Sequence, residues 1–163
     1  RSLPVEERTR LVTKDLESRG LWPRPGRDDA WLNKVVDAVG DRLKRLPHLL
    51  DYAGFLFTPQ VEFDPVALED MRKRKRVEEI LPAVRAMLAG LEPWDEANAE
   101  VALRATAESM GLKAGDLIHP SRVALTGKKV GPGIFEVFML VGRDEAVRRL
   151  ERAEGLLGEA PSA

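Results

Sequence analysis

Residues 28–43, with the sequence DDAWLNKVVDAVGDRL, have the spacing of an amphipathic helix. Apolar residues recur there every three or four positions and therefore share one face: Trp31, Leu32, Val35, Val36, Val39 and Leu43. Asp28 directly precedes this stripe, where a carboxylate can accept a hydrogen bond from the first free backbone N–H groups. The stretch predicts a capped helix that is buried along one side.

Helical periodicity continues on both sides of this stretch, and strand-like alternation is almost absent. Before it we expect a helix over residues 5–19, and after it a long helix from about Pro65 that Pro82 either kinks or restarts. Shorter helices follow between glycines, at 95–110, 114–125, 134–141 and 144–157. Gly90 and Pro93 interrupt the pattern in the middle. We therefore predict an all-α protein in two halves, residues 1–92 and 93–163.

Composition excludes several classes of protein. The 163 residues include 26 Lys and Arg, 27 Asp and Glu and no Cys, which excludes disulfide scaffolds, zinc ribbons and thiol nucleophiles. The longest apolar run, 134–141, is far shorter than the roughly 20 residues of a membrane span. A net charge of −1 argues against a strongly basic nucleic-acid binder, although it says nothing about local patches, and we expect no DNA partner. We expect a cytoplasmic protein with no membrane segment.

Catalytic motifs are also missing from this sequence. His48 and His119 each stand beside a proline, and neither has the partner four residues away that a helical metal site needs. No phosphate-binding G-x-x-x-x-G-K-[ST] loop and no G-x-S-x-G motif occurs. We therefore predict no catalytic residue, no metal and no cofactor on this chain.

Two basic segments allow either a structural or a nucleic-acid-binding interpretation. The run RKRKR at 72–76 has acids within pairing distance on both sides, which favours a solvated helix with ion pairs. Arg42, Lys44 and Arg45 come near the end of the helix that starts at Asp28. Cations at a helix C-terminus are favoured by the helix dipole alone, so both interpretations of this segment stay open.

A third basic segment, HPSRVALTGKKVGPG at 119–133, contains Arg122, Lys128 and Lys129 and no acid. Its glycines allow the backbone to approach a ligand closely, and an arginine fork suits the edge of a nucleic-acid base. Glycines that simply end helices are the alternative explanation. If RNA binds here, Lys128 and Lys129 are candidates for contacts with phosphates, which set affinity rather than sequence preference.

Three segments of the second half resemble the C-terminal region of bacterial glutamyl-tRNA synthetases. They are PSRVALTG at 120–127, GPGIFE at 131–136 and LVGRDEAVRRL at 140–150. That family carries a P-L-R-x-A-L-T-G segment, then P-G-L-F-E, then L-G-K-E-x-x-x-x-R-L. Ser121 stands where the family has an apolar residue. The segment DRLKRL at 41–46 is similar to an R-x-x-x-L helix of the same family.

The resemblance implies a two-subdomain α-helix cage that binds the anticodon of tRNA(Glu). It implies that Arg42 reads the last anticodon base, and that Arg122, Gly131, Pro132 and Ile134 engage the other two. Some members of the family have Thr at the position of Gly131, so only a main-chain contact is expected at that position.

The catalytic signatures of the family do not occur in this sequence. ATP, Mg²⁺ and glutamate activation are therefore expected to belong to another part of the parent enzyme, and we expect this module to be monomeric. Two alternatives stay open. One is the helical cage of a class I lysyl-tRNA synthetase. The other is a helical protein–protein adaptor that uses residues 134–141 as its interface.

Overall fold

The structure is a computed structural model, and it describes residues 4–39, 50 and 52–158. Regular structure in these ranges is helical, without a β-strand. The helices are α1 (Val5–Ser18), α2 (Asp29–Val39), α3 (Pro65–Lys73), α4 (Val77–Ala89), α5 (Glu96–Ser109), α6 (Ala114–Thr126), α7 (Ile134–Val141) and α8 (Arg143–Leu156), with a 3₁₀ turn at Gly54–Phe57. The predicted all-α class is confirmed.

The chain divides into two compact units, and the first spans Arg1–Pro59. Helices α1 and α2 pack against each other in it, and the predicted stripe of α2 is buried at Leu32, Val35, Val36 and Val39. The carboxylate of Asp28 accepts a hydrogen bond from the backbone N–H of Trp31 at 2.9 Å, which confirms the predicted cap. The rest of the predicted helix, including Arg42, Lys44 and Arg45, lies outside the described residues.

The second unit, Gln60–Ala163, contains helices α3 to α8. Helix α4 packs most extensively against α8, and α6 contacts α3, α4, α5, α7 and α8. Its core is formed by large side chains that are almost completely buried: Met71, Ile80, Leu81, Leu88, Leu103, Leu117, Leu125, Phe138 and Leu150. The boundary expected between residues 92 and 93 falls inside this unit, because α4 precedes that boundary and its main partner α8 follows it.

The long helix expected from Pro65 is in fact two helices, and that prediction is wrong at residues 74–76. Arg74 has an extended backbone, with φ −68° and ψ 138°, and Arg76 has the left-handed φ of 62°. The Arg76 guanidinium donates a hydrogen bond to the carbonyl of Met110, just beyond α5, at 2.8 Å. This tertiary contact stabilises a backbone break at residues that have no intrinsic tendency to end a helix.

The remaining helices of the second unit agree with the sequence predictions. Helices α5, α6, α7 and α8 begin and end within two residues of the predicted positions. The Asp95 side chain caps α5 by accepting a hydrogen bond from the backbone N–H of Asn98 at 2.7 Å. Gly127 caps the C-terminus of α6, and its φ of 80° is the left-handed conformation expected of a helix-ending glycine.

Candidate nucleic-acid interface

The basic loop after α6, residues 127–133, begins at a glycine that no other residue can replace without a shift in the backbone. A Cβ at Gly127 would lie 2.1 Å from the carbonyl oxygen of Glu62 and 2.9 Å from a side-chain carbon of Val61. The backbone N–H of Asp64 also donates to the carbonyl of Gly127 at 2.9 Å. The start of the loop is therefore held in direct contact with the segment 61–64.

The hydroxyl of Thr126 fixes the first turn of the same loop. It donates to the carbonyl of Arg122 at 2.8 Å and accepts from the backbone N–H of Lys128 at 3.1 Å. Thr126 is buried, so water does not compete effectively for these hydrogen bonds. The Thr-Gly pair of the sequence motif thus sets the direction in which the chain leaves α6.

Arg122 closes the far side of the loop. Its guanidinium donates a hydrogen bond to the carbonyl of Pro132, ten residues further along the chain. Gly133 then leads into α7, whose first residue, Ile134, is only 4% exposed. The structure therefore brings together Arg122, Gly131, Pro132 and Ile134, which were singled out from the sequence.

These four residues have different accessibility. Arg122 and Gly131 are half-buried, whereas Pro132 and Ile134 are buried. The side chains of Pro132 and Ile134 therefore support the loop from inside. Of the four, Arg122 and Gly131 are the residues that solvent reaches.

The two lysines of the loop are exposed, as phosphate contacts require. Lys128 and Lys129 are followed by Val130, which is 78% exposed, and these three residues form the most exposed part of the loop. The Lys129 ammonium lies 4.0 Å from a carboxylate oxygen of Asp70 on α3. Lys129 is therefore a solvent-accessible cation with one acidic neighbour.

Two arginines of α8, which were not identified from the sequence, contact the segments on either side of the start of the loop, namely the end of α6 and residues 61–63. Arg149 is buried and donates to the carbonyl of Leu125, in the last turn of α6, at 2.7 Å. Arg152 donates to the carbonyl of Val61 at 2.9 Å, and its guanidinium lies 5.3 Å from the ring centroid of Phe63. The burial of Arg149 could have been predicted from the sequence, since it lies on the same helical face as the buried residues Ala146 and Ala153.

The basic run at 72–76 is mostly engaged within the protein. Arg72 donates to the carbonyl of Leu156, Lys73 pairs with Glu69, and Arg74 pairs with Asp70. Arg76 pairs with Glu79 at 2.9 Å, and its hydrogen bond and positive charge lower the pKa of that carboxyl group. These contacts agree with the interpretation of solvated ion pairs.

Helix α7 packs most of its apolar side chains into the protein. Ile134, Val137, Phe138, Leu140 and Val141 are all buried. Their burial within the second unit accounts for most of the apolar run at 134–141, and only Phe135 and Met139 remain partly exposed among its apolar residues. The adaptor alternative is weakened accordingly.

Two further features are absent from the described ranges. No group of three or more His, Asp or Glu side chains is arranged there to hold a metal ion. No helix in the same ranges is both long enough and apolar enough to cross a membrane.

Residues 9–154 match the family model described as "Anticodon binding domain". Because this match covers most of its length, the chain belongs to the anticodon-binding domain family. It is similar to a glutamate–tRNA ligase of Moorella thermoacetica, with 35% identity over 147 residues, covering 89% of this chain and 30% of that protein. A glutamate–tRNA ligase of Rhodopseudomonas palustris (strain TIE-1) is 41% identical over 122 residues, covering 74% of this chain and 25% of that protein.

Solved structures show the same fold. A glutamate–tRNA ligase from Elizabethkingia meningosepticum, in complex with its amino acid, superposes with a TM-score of 0.75 at 16% identity and covers 93% of this chain. A glutamate–tRNA synthetase from Elizabethkingia anophelis gives 0.76 at 19% identity and covers 94%. The chain spans 31% and 29% of those two structures. It therefore corresponds to less than a third of each of these relatives.

Proposed function

We propose that this chain is the anticodon-recognition part of a glutamate–tRNA ligase and that its partner is tRNA(Glu). The family match and the similarity to glutamate–tRNA ligases support this proposal. The single observation that carries it in the structure is the anchored loop at 127–133. Arg122 and two exposed lysines surround a backbone that is fixed by Gly127, Thr126 and the carbonyl of Pro132.

The loop has the properties that reading a single-stranded anticodon requires. RNA loops are recognised through splayed bases that meet hydrogen-bond donors and planar groups, and a guanidinium offers both. Because the loop is fixed before binding, little conformational entropy is lost when a base docks. We assign base contacts to Arg122 and to the backbone near Gly131, and we keep Pro132 and Ile134 as the residues that shape this surface.

Arg42 is proposed to read a further anticodon base, and Lys128 and Lys129 to bind phosphates. The rest of the parent enzyme would supply ATP and Mg²⁺ binding and glutamate activation, because this chain spans only 30% and 25% of the ligases from Moorella thermoacetica and Rhodopseudomonas palustris. A cytoplasmic location and a monomeric state are part of the same proposal.

A pair of substitutions tests this division of roles. Arg42→Ala should weaken binding of tRNA(Glu) by about 1–3 kcal/mol and reduce discrimination at one anticodon base. Lys128→Ala should weaken binding of all tRNAs by a similar factor. It should also make the negative slope of log affinity against log salt shallower by roughly 1. Filter binding across a salt series, with tRNA(Glu) and a variant changed at a single anticodon base, measures both effects.

The same assay decides between this proposal and a lysine-specific class I enzyme. Exchanging the anticodon of tRNA(Glu) for that of tRNA(Lys) should weaken binding to the wild-type chain. Tighter binding of the exchanged tRNA would assign the chain to the lysine enzyme. Unchanged anticodon discrimination in Arg42→Ala would show that Arg42 does not read a base.

A further inference from the structure

One carboxylate lies between cations from two separate segments of the second unit. One oxygen of Asp70, on α3, lies 3.3 Å from the guanidinium of Arg74, and its other oxygen lies 4.0 Å from the ammonium of Lys129 in the basic loop. Asp70 and Arg74 are each about one-third exposed, and Lys129 is half exposed. We refer to Asp70, Arg74 and Lys129 as the shared-carboxylate cluster.

The anchored backbone of the loop keeps Lys129 close to this carboxylate. Gly127 is in close contact with the carbonyl of Glu62, and Arg122 fixes the loop again at Pro132. Lys129 lies between these two anchor points. A phosphate that approaches Lys129 therefore meets a cation whose charge is already partly neutralised, next to an acid that repels the phosphate directly.

We propose that Arg74 and Lys129 form a backbone-phosphate contact, and that Asp70 limits the affinity of this contact for any RNA. This inference rests on the proposed function, because it concerns the same RNA-binding loop. Phosphate contacts contribute affinity without regard to sequence, so an excess of them strengthens binding to every RNA. A carboxylate that competes with phosphate lowers this contribution and makes binding depend more on contacts with bases.

The test compares Asp70→Asn with Glu69→Gln in the full 163-residue chain. Both substitutions remove one negative charge from α3, but Glu69 pairs with Lys73, at 3.8 Å, and not with the loop. The probes are two anticodon stem-loop RNAs, one with the glutamate anticodon and one with a single anticodon base changed. Asp70→Asn should tighten binding of both RNAs by about two- to fivefold at low salt and steepen the salt dependence. Glu69→Gln should change binding by a smaller factor.

A second variant links the gain to the cluster itself. Adding Lys129→Ala to Asp70→Asn removes one of the two cations that Asp70→Asn releases. The gain in affinity that Asp70→Asn produces in the Lys129→Ala background should therefore be less than half of the gain that it produces in wild type. Thermal unfolding followed by circular dichroism checks that each variant keeps the wild-type fold. Asp70 is partly exposed and lies on the helix surface, so we expect all of them to fold.

The outcomes separate the two proposals. If the wild-type chain does not distinguish the two stem-loops, the proposed function itself fails. If it does distinguish them, equal effects of Asp70→Asn and Glu69→Gln would show that only the total charge matters, which overturns the inference. Weaker binding by Asp70→Asn would also overturn it, because Asp70 would then hold Lys129 in its binding position.

Discussion

At the scale of single residues, Gly127 connects the sequence motif to the candidate site. It has a left-handed φ, as a helix-ending glycine commonly does, but it also leaves no space for a side chain beside the carbonyl of Glu62. The Thr-Gly pair of the motif therefore does more than end α6. It places the following lysines at one position relative to segment 61–64.

Gly127→Ala should destabilise the protein by more than about 2 kcal/mol, because a backbone shift must be added to the cost of a positive φ. Gly111→Ala is the matched control, since Gly111 has a φ of 72° but no atom within 4 Å of where a Cβ would lie. Gly111→Ala should lower the free energy of unfolding by only about 1 kcal/mol. Urea unfolding of both variants gives the two values, and equal losses would show that the close contact with Glu62 has no energetic importance.

At the scale of helices, most of the second unit could be predicted from the sequence, because caps and glycines mark its helix ends. Asp95 and Gly127 are such local signals, and the helices that they delimit were placed within two residues. The break between α3 and α4 could not be predicted. It depends on the hydrogen bond from Arg76 to the carbonyl of Met110, a residue far along the chain that no local pattern of the sequence connects with Arg76.

The candidate site was predictable to a similar degree. The sequence motif singled out Arg122 and the loop residues, and the structure brings them together. Arg149 and Arg152 were not identified, because their roles depend on which carbonyl groups α8 meets after folding. A charged residue in an apolar register, as at Arg149, is a signal worth using in other sequences.

The stabilisation that the Arg76–Glu79 ion pair gives to the start of α4 should depend on pH. Arg76 lowers the pKa of Glu79 below its ordinary value of 4.5, so the charged carboxylate favours the folded state. This stabilisation is complete at neutral pH, and it is lost as the pH falls below the ordinary value and through the lowered pKa. Wild type should therefore lose more stability than Glu79→Gln between about pH 7 and about pH 3.

Urea unfolding across this range gives the comparison. Glu96→Gln serves as a control, because Glu96 is an exposed acid in the first turn of α5, at the opposite end of that helix from Met110, whose carbonyl accepts the hydrogen bond from Arg76. The control should lose stability on acidification as wild type does. Parallel curves for wild type and Glu79→Gln would show that the ion pair with Arg76 does not stabilise the fold.

At the scale of the whole molecule, the two compact units predict which fragments fold. A fragment of residues 60–163 keeps α4 together with α8, its most extensive partner, and should unfold cooperatively. A fragment of residues 93–163 follows the boundary expected from sequence, but it lacks α4. The face of α8 that packs on α4 would then be exposed, so this fragment should lack cooperative unfolding.

Circular dichroism during thermal unfolding distinguishes the two fragments. A cooperative transition in 93–163 would support the boundary at Gly90–Pro93 as that of an independent subdomain. A cooperative transition in 60–163 alone would show that α4 is an integral part of the second unit.

The near-equal numbers of acidic and basic residues do not argue against a local RNA-binding surface. The 27 acidic residues nearly neutralise the total charge, yet Lys128 and Lys129 stay exposed on an anchored loop. Asp70 beside Lys129 shows how closely one of these acids approaches the candidate site. A neutral total is therefore compatible with an RNA-binding surface whose affinity does not depend on phosphates alone.

The most direct test of the account is binding of the full chain to an anticodon stem-loop of tRNA(Glu) and to the same stem-loop with one anticodon base changed. Fluorescence anisotropy at near-physiological salt gives both dissociation constants. We predict that the base change weakens binding by about 1–3 kcal/mol, or roughly 5- to 150-fold. Equal binding of the two RNAs would contradict the proposal that this chain reads the anticodon.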